Sequence, residues 1–254
     1  MIHGEKQKDS VIYMTDILFE YDHILMKSEY RVPDPHSHLA SHLVIGAGGS
    51  LHIMINEQEF TADAVIIASD VVHTIYMDRG DMIVYLFDTT SYYSRQLSEK
   101  YLKGGNYYIP EKLLTDTMKE VWKESAKDLK TADERLLEIL GIVRRESKMD
   151  DRITDVLTFL RETDSVPEDI TDILCRRVCL SKSRLSHLFK EQMGISLHRY
   201  LALDKMKKGY LSFLKYGSIT EAAMRAGFDS PSHFAATCKR MFGISFTEFI
   251  QSKR

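Results

Sequence analysis

Apolar and polar residues alternate with a period of two through the N-terminal third of the chain. Leu51, Ile53 and Ile55 are each separated by a polar or flexible residue, and the same alternation returns around residues 60–86. Alternation of this kind is typical of half-buried β-strands. Turn-like polar stretches separate the alternating segments at 56–59 and 78–81. The pattern predicts a small antiparallel barrel or sandwich over residues 1–90.

From Ser91 onward the apolar residues recur every three or four positions instead, as they do in amphipathic helices. Residues 91–150 are therefore predicted to form a helical connector. One apolar stripe on it consists of Leu113, Met118, Val121 and Trp122. Such a stripe needs a covering surface. Two surfaces stay open at this point: the N-terminal domain, or a second copy of the chain in a homodimer.

Residues 151–254 are predicted to be entirely helical. Pro167 marks the end of the first helix, because proline cannot continue an α-helix. The apolar face of that helix consists of Ile153, Val156, Leu157 and Leu160. The expected fold class is α+β and multidomain, with an N-terminal antiparallel β-barrel, a helical connector and a C-terminal all-α domain.

The C-terminal region contains an internal repeat. Residues 170–201 align with residues 219–250 at a shift of 49 positions without a gap, and nine pairs are identical. Chance gives about two identities in such a window. The identical pairs include Gly194 with Gly243. A duplication of this kind predicts two structural units of the same layout.

Each unit has the pattern of a short helix, a tight turn and a second helix. Asp169 or Ser218 is predicted to cap the first helix, and Ser181 or Ser230 the second. The turns are expected at 178–180 and 227–229. The inward positions of the second helices are Leu185, Leu188 and Phe189, then Phe234, Thr237 and Cys238. Gly194 and Gly243 are expected to end the second helices. This is the layout of a helix-turn-helix, whose second helix enters the major groove of DNA.

The segment 197–215 between the units is long enough for one connecting helix. A helix of about 19 residues spans just under 30 Å, close to the roughly 34 Å between successive major-groove faces. Two recognition helices on one chain can therefore reach neighbouring grooves of double-stranded DNA. The alternative is a helical repeat that binds another protein.

Charge divides the chain at the same place. Residues 152–254 carry 17 Lys and Arg against 11 Asp and Glu, a net charge of +6, whereas the remainder carries −9. A basic region attached to an acidic one favours a polyanion as the partner of the basic region alone.

The sequence also indicates the cellular compartment of the protein. The first ten residues lack the apolar run of a signal peptide, and no stretch approaches the roughly 18 apolar residues of a membrane helix. A cytoplasmic protein without a membrane partner is therefore expected. Cys175, Cys179 and Cys238 are predicted to be small core residues in a reducing compartment, not metal ligands.

The motifs of both units resemble the AraC/XylS family of bacterial transcription regulators. The family signature falls on ITEAAMRAGFDSPSHFAATCKRMFGISFTEF in the second unit, and LSKSRLSHLFKEQMGISLHRYL in the first unit matches as well. The resemblance covers residues 152–254. It implies a DNA-binding transcription regulator, not an enzyme, with an N-terminal cupin-type barrel that binds an effector or dimerises.

The resemblance also implies which side chains contact DNA. In the first unit, base edges are assigned to Ser183, Ser186 and His187, and phosphates to Lys182, Arg184 and Lys190. In the second unit, the groove is assigned to Ser232, His233 and Ala236, and the backbone to Lys239 and Arg240. Ala236 stands where many members carry a long polar side chain. The first unit is therefore expected to supply most of the DNA sequence specificity, and the second to bind phosphates of the DNA backbone.

Four histidines of the N-terminal domain form a candidate metal site: His36, His38, His42 and His73. Residues two apart on a strand share a face, so His36 and His38 are expected to point the same way, with His73 on a neighbouring strand. Converging imidazoles can hold a divalent transition metal such as zinc, nickel, manganese or iron. The set resembles the cupin motif with His42 in place of its glutamate. A metal-free ligand pocket is the alternative.

Two functions follow from these observations. The first is a sequence-specific DNA-binding transcription regulator controlled by a small-molecule or metal effector in the N-terminal barrel. The alternative is a metal-dependent cupin enzyme, or a metal sensor, fused to a DNA-binding domain. Metal analysis of the protein with alanine at His38 and His73 separates these alternatives.

Overall fold

The structure is a computed structural model that describes residues 17–28, 35–143 and 149–242, together with residue 246. All strands in this part of the chain precede α2. They are β1 (Ile17–Phe19), β2 (His23–Ser28), β3 (Ser41–Gly46), β4 (Leu51–Ile55), β5 (Gln58–Ala62), β6 (Ala64–Ile67), β7 (His73–Tyr76), β8 (Met82–Phe87) and β9 (Tyr107–Tyr108).

Helices make up the rest of the described fold. The connector contains α1 (Tyr92–Leu97), which continues into a π-helical turn (Ser98–Leu102), then α2 (Lys112–Ser125) and α3 (Leu129–Ile139). The C-terminal region contains α4 (Asp151–Glu162), α5 (Ile170–Val178), α6 (Lys182–Met193), α7 (Leu197–Tyr216), α8 (Ile219–Ala226) and α9 (Pro231–Phe242).

The strands form two antiparallel sheets. The larger has the order β1-β2-β8-β3-β6-β9, and the smaller has the order β5-β4-β7. Apolar residues of both sheets, such as Ile53 of β4 and Val84 of β8, meet in one buried cluster. The predicted α+β class with an N-terminal antiparallel β fold is therefore confirmed, and the described strands divide into two hydrogen-bonded sheets.

The hairpin of β4 and β5 is tighter than the sequence pattern predicts. Asn56 and Glu57 have positive φ values of 48° and 68°, and Ile55 pairs with Gln58. Two consecutive left-handed residues form the two-residue turn that matches the twist of paired strands. The prediction of a four-residue turn at 56–59 is wrong, because polarity alone does not distinguish the strand residues Gln58 and Glu59 from turn residues.

The central strands β3 and β8 are buried on both faces. Val84 of β8 faces the core between the sheets, whereas Tyr85 packs with Trp122 of α2 in a second cluster under the connector helices. All residues of β8 are accordingly buried. The expectation that β8 alternates between an inward and an outward face is wrong, because the connector covers the outer face.

The apolar stripe of the connector packs mostly within the chain. Met118, Val121 and Trp122 are buried against the larger sheet. Leu113, by contrast, is 79% exposed and lies outside this contact. The N-terminal domain is therefore the cover for most of the stripe, and a homodimer stays a prediction.

The first C-terminal helix has the expected apolar face. Ile153, Val156 and Leu160 of α4 are buried, and Leu157 is half-buried. The helix ends at Glu162, several residues before Pro167, because the capping residue Thr163 is already extended, with ψ 130°. The prediction that Pro167 ends this helix is wrong.

The β domain and the C-terminal helices contact each other directly. The Arg199 guanidinium of α7 lies 3.1 Å from the Asp88 carboxylate after β8. The rings of Phe19 and Tyr210 lie 5.7 Å apart at a second contact. These contacts set α7, the helix between the two repeat units, against the β domain.

A buried charged triad ties α3 to β2. His23 Nδ1 donates to Asp22 Oδ1 over 2.7 Å, and His23 Nε2 donates to Asp133 Oδ1 over 2.8 Å. Burial opposes the charged imidazolium, but the two hydrogen bonds and the carboxylate charges outweigh it and raise the pKa of His23 to about 9. The ring is therefore cationic at neutral pH.

Candidate functional site

The first repeat unit is a helix-turn-helix with the predicted second helix. The Ser181 hydroxyl accepts a hydrogen bond from the Arg184 backbone N–H at 3.3 Å and caps α6. Gly194, with φ 79°, ends the same helix in the left-handed conformation. Both features are as predicted. The prediction for Asp169 is wrong, because Asp169 lies at the N-cap position of α5 without a capping hydrogen bond from its side chain.

The second unit repeats this construction. The Ser218 hydroxyl accepts from the Glu221 N–H and caps α8, and the Ser230 hydroxyl accepts from the His233 N–H at the start of α9. Each serine hydroxyl accepts a hydrogen bond from a backbone N–H in the first turn of its helix. That N–H has no partner within the helix. The predicted stop at Gly243 lies outside the described residues.

The left-handed residues of the two turns lie one position apart in the alignment of the two units. The left-handed residue that ends α5 is Cys179, with φ 52°, whereas Gly227, with φ 90°, ends α8. In the gapless alignment Gly227 matches Val178, so the first helix runs one residue longer. Cys179 is exposed and Cys238 is fully buried. The prediction of a core position therefore holds for Cys238 and fails for Cys179.

The inward and outward faces of the second helices separate as predicted. The inward residues are all buried: Leu185, Leu188, Phe189, Phe234, Thr237 and Cys238. The side chains assigned to DNA are all exposed: Lys182, Ser183, Arg184, Ser186, His187, Lys190, Ser232, His233, Ala236, Lys239 and Arg240. Their roles at DNA stay predictions, and their exposure leaves them available for contact.

Surface ion pairs hold several of these side chains in the free protein. Lys182 lies 2.8 Å from Asp172, and His233 lies 2.9 Å from Asp229. Exposed pairs of this kind contribute little to stability, because water and salt screen the charges. A phosphate can therefore replace Asp172 as the partner of Lys182 at little cost.

The connecting helix has the expected length. Helix α7 has 20 residues, which corresponds to about 30 Å at 1.5 Å per residue. Its Lys208 ammonium donates to the Leu160 carbonyl of α4 at 2.8 Å and also pairs with Asp204. The first contact joins α7 to α4, whereas the second lies within α7.

The C-terminal halves of both recognition helices line clefts against the β domain. Lys190 of α6 faces a cleft that also contains Asp22 and Tyr92. Arg240 of α9 faces a second cleft, of about 320 Å³, that contains Asp22 and Asp88. Acidic side chains of the β domain thus share these clefts with two cationic side chains assigned to phosphates.

The four candidate histidines converge in the β domain. One ring nitrogen from each of His36, His38 and His73 lies within 4.8 Å of the others. The His42 ring lies 4.0 Å from that of His38 and 4.7 Å from that of His73. The sequence predicts this convergence, but His36 reaches it through an isolated bridge to His73 instead of through a full strand.

Burial and proximity keep the imidazoles of the cluster neutral. Burial, followed by the charges of His73 and His36, lowers the pKa of His38 to about 3. Burial also lowers the pKa of His73 to about 4 and that of His42 well below its usual value. A neutral imidazole presents the lone pair that a metal ion requires.

The hydrogen bonding of His73 and the unpartnered nitrogen of His42 fit a transition metal. His73 Nδ1 donates to the Val71 carbonyl at 2.8 Å, which leaves the lone pair on Nε2, as in many metal-binding histidines. His42 Nδ1 is buried and has no hydrogen-bond partner among the described residues. An all-imidazole donor set suits zinc, nickel or iron.

Two features near these sites were not predicted from the sequence. One is His23, whose partner Asp133 lies 110 residues away in the chain. The other is the cleft between the β domain and α9, which Leu39 and Ala40 line from the β side. Neither has a local sequence signal, because both arise from packing between distant segments.

Comparison with known proteins agrees with this geometry. Residues 174–252, which include α6 to α9, match the sequence profile of a family described as a helix-turn-helix domain. The HTH-type transcriptional regulator MtrA of Neisseria gonorrhoeae is 34% identical over 67 residues, or 26% of this chain. The arabinose operon regulatory protein of Escherichia coli strain K12 is 34% identical over 77 residues, or 30% of this chain.

Residues 174–252 are thus similar in sequence to the helix-turn-helix regions of these transcription regulators. The matched segments span only 22% and 26% of the lengths of these two relatives. A crystal structure of an apo ToxT variant from Vibrio cholerae has a TM-score of 0.50 with this chain at 10% identity. It covers 92% of this chain and 98% of its own. That likeness extends the shared fold to the β domain.

The helices of the described residues are too short or too polar to cross a membrane.

Proposed function

We propose that the chain is a sequence-specific transcription regulator that binds double-stranded DNA and senses a small molecule or metal in its β domain. The observation that carries this proposal is the duplicated, serine-capped helix-turn-helix with its assigned side chains in solvent. In this proposal residues 1–90 form the effector domain, residues 91–150 connect, and residues 151–254 bind DNA.

The two units have different roles in this proposal. Ser183 and His187 in the first unit offer hydrogen-bonding groups to base edges, whereas Ala236 in the second offers only a methyl group. Lys239 and Arg240 supply positive charge for phosphates. Sequence choice therefore comes mainly from α6, and sequence-independent affinity comes in part from α9.

Fluorescence anisotropy with the full chain tests DNA binding. A duplex from the region upstream of its own gene is compared with a random duplex of equal length at several salt concentrations. We expect tighter binding to the first duplex and a steep loss of affinity with salt on both. Lys239→Glu is expected to weaken both, and Lys127→Glu, at an exposed position of the connector, is the control. Absence of salt-sensitive binding to either duplex contradicts the proposal.

The histidine cluster is proposed to hold the effector. His36, His38, His42 and His73 would hold a divalent metal, and the metal would supply a fixed positive charge that links the segment 36–42 to β7. Calorimetric titration with Zn²⁺ and Ni²⁺ tests this. We expect binding that His38→Ala and His73→Ala abolish and that His52→Ala retains, because His52 stacks on Tyr76 away from the cluster. Equal binding by all three variants contradicts the metal proposal.

A further inference from the structure

The segment from His38 to His42 belongs to two sites at once. His38 and His42 are 5% and 4% exposed and lie in the histidine cluster. Between them, Leu39 is 43% exposed and, with Ala40, lines the cleft of about 320 Å³ against the C-terminal helices. Neighbouring residues of one short segment thus line the cluster and the cleft.

The opposite wall of this cleft comes from the DNA-binding region. It includes Arg199 and Leu203 of α7 and Arg240 of α9. Arg240 is one of the side chains assigned to the DNA backbone, and Asp22 and Asp88 share the cleft with it. A change in the position of Leu39 and Ala40 therefore directly changes the surroundings of Arg240, because all three residues line the same cleft.

A hydrogen bond connects the two sites at atomic level. The Ala40 backbone N–H donates to His38 Nδ1 at 3.3 Å. A neutral imidazole has one N–H and one lone pair, so this bond places the lone pair on Nδ1 and the ring proton on Nε2. His73 has the opposite arrangement, because its Nδ1 donates to a carbonyl. His73 is therefore ready to bind a metal through Nε2, whereas His38 is not.

Metal binding by His38 breaks the bond to Ala40 by either route. A metal on Nδ1 takes the lone pair that the Ala40 N–H now uses. A metal on Nε2 requires the ring proton to move from Nε2 to Nδ1, which then presents an N–H to the Ala40 N–H. In both cases one metal–nitrogen bond forms and one N–H···N hydrogen bond is lost, with no net change in protons.

We propose that metal binding at the histidine cluster releases the Leu39–Ala40 segment from His38 and thereby opens the cleft that holds Arg240, so that DNA binding strengthens. This inference rests on the proposed metal-responsive regulator and names its route of regulation. The metal and the Ala40 N–H compete for the lone pair on His38 Nδ1, so the Ala40 amide couples the histidine cluster to the cleft.

Amide hydrogen exchange of the full chain with and without Zn²⁺ tests the first step. We expect exchange at the Ala40 amide to accelerate at least tenfold on zinc binding, while the Ile45 amide in the middle of β3 stays protected. Calorimetry in the same buffer shows whether zinc binds. Zinc binding with unchanged Ala40 exchange overturns the inference alone. No zinc binding overturns the metal proposal and this inference together.

DNA affinity of Leu39→Ala tests the second step. In the unchanged chain we expect saturating zinc to tighten DNA binding about tenfold, within the usual range of allosteric coupling. Leu39→Ala removes a cleft side chain and leaves the four histidines in place, so zinc affinity should stay within about twofold while the zinc effect on DNA falls to about twofold. Leu113→Ala, at another exposed leucine, should keep the full effect. A full zinc effect in Leu39→Ala, or weaker DNA binding with zinc, overturns the inference.

Discussion

The two helix-turn-helix units share one plan and differ at the turn and on the surface. Both second helices are capped by a serine and buried through three inward residues. The first unit turns on Cys179 and presents His187, whereas the second turns on Gly227 and presents Ala236 at the position that corresponds to His187. Duplication thus conserved the residues that fold each unit and left the turn and the outer face free to diverge.

The largest expected effect concerns the glycine turn of the second unit. A Cβ at Gly227 would lie 2.4 Å from the Val166 carbonyl oxygen, at a φ of 90°. Gly227→Ala should lower the free energy of unfolding by about 3 kcal/mol through strain and overpacking. Gly217→Ala is the control, because that residue also has positive φ but nothing within 4 Å, so it should cost only about 1 kcal/mol. Urea denaturation measures both, and equal costs contradict the close contact.

The next effect separates sequence choice from affinity. Ser183→Ala with His187→Ala should reduce the preference for the specific duplex over the random one by about tenfold or more, since each base contact discriminates by about 1–3 kcal/mol. The matched pair Ser232→Ala with His233→Ala should change that ratio much less. Competition anisotropy with both duplexes gives the ratios. A larger loss in the second pair reverses the proposed division of roles.

A smaller effect concerns phosphate binding by the second unit. Lys239→Ala should weaken specific and random duplexes by the same factor and lower the slope of log affinity against log salt by about 1. A salt titration measures the slope. If Lys239→Ala instead weakened only the specific duplex, Lys239 would be a base reader and the second unit would take part in sequence choice.

The smallest effect is a gain in stability at the first turn. Cys179 adopts a left-handed conformation that costs a residue with a Cβ about 1–2 kcal/mol. Glycine removes that cost but loses about 0.5–1 kcal/mol to chain entropy. Cys179→Gly should therefore raise the free energy of unfolding by about 0.5 kcal/mol, and Cys179→Ala should not. Destabilisation by Cys179→Gly would show that the thiol contributes more than its hydrogen bond to the Arg176 carbonyl indicates.

Local patterns predicted the parts of the molecule that local chemistry determines. The repeat located both units, because the spacing of Leu185, Leu188 and Phe189 recurs with Phe234 and its neighbours. The spacing of the histidines likewise predicted their cluster, and the structure places their rings together.

Packing between distant segments accounts for what the sequence did not predict. Nothing near Leu113 distinguishes it from Met118, and only the sheet beneath the connector decides which of them is covered. The repeat alignment pairs Gly227 with Val178, but the left-handed residue of the first unit is Cys179. Leu39 and Ala40 gained a role only because α7 and α9 lie across from them.

The charged triad of Asp22, His23 and Asp133 that ties β2 to α3 stabilises the fold only below a limiting pH. His23 is protonated in the folded chain up to a pKa of about 9, whereas its ordinary value is 6.5. Because the folded value is the higher one, the triad stabilises fully below about pH 6.5 and loses that contribution as the pH rises through about 9. Melting temperatures should therefore decline in mild alkali, and in His23→Gln that decline should be smaller. The contact between β2 and α3 is therefore most stable in neutral or weakly acidic solution.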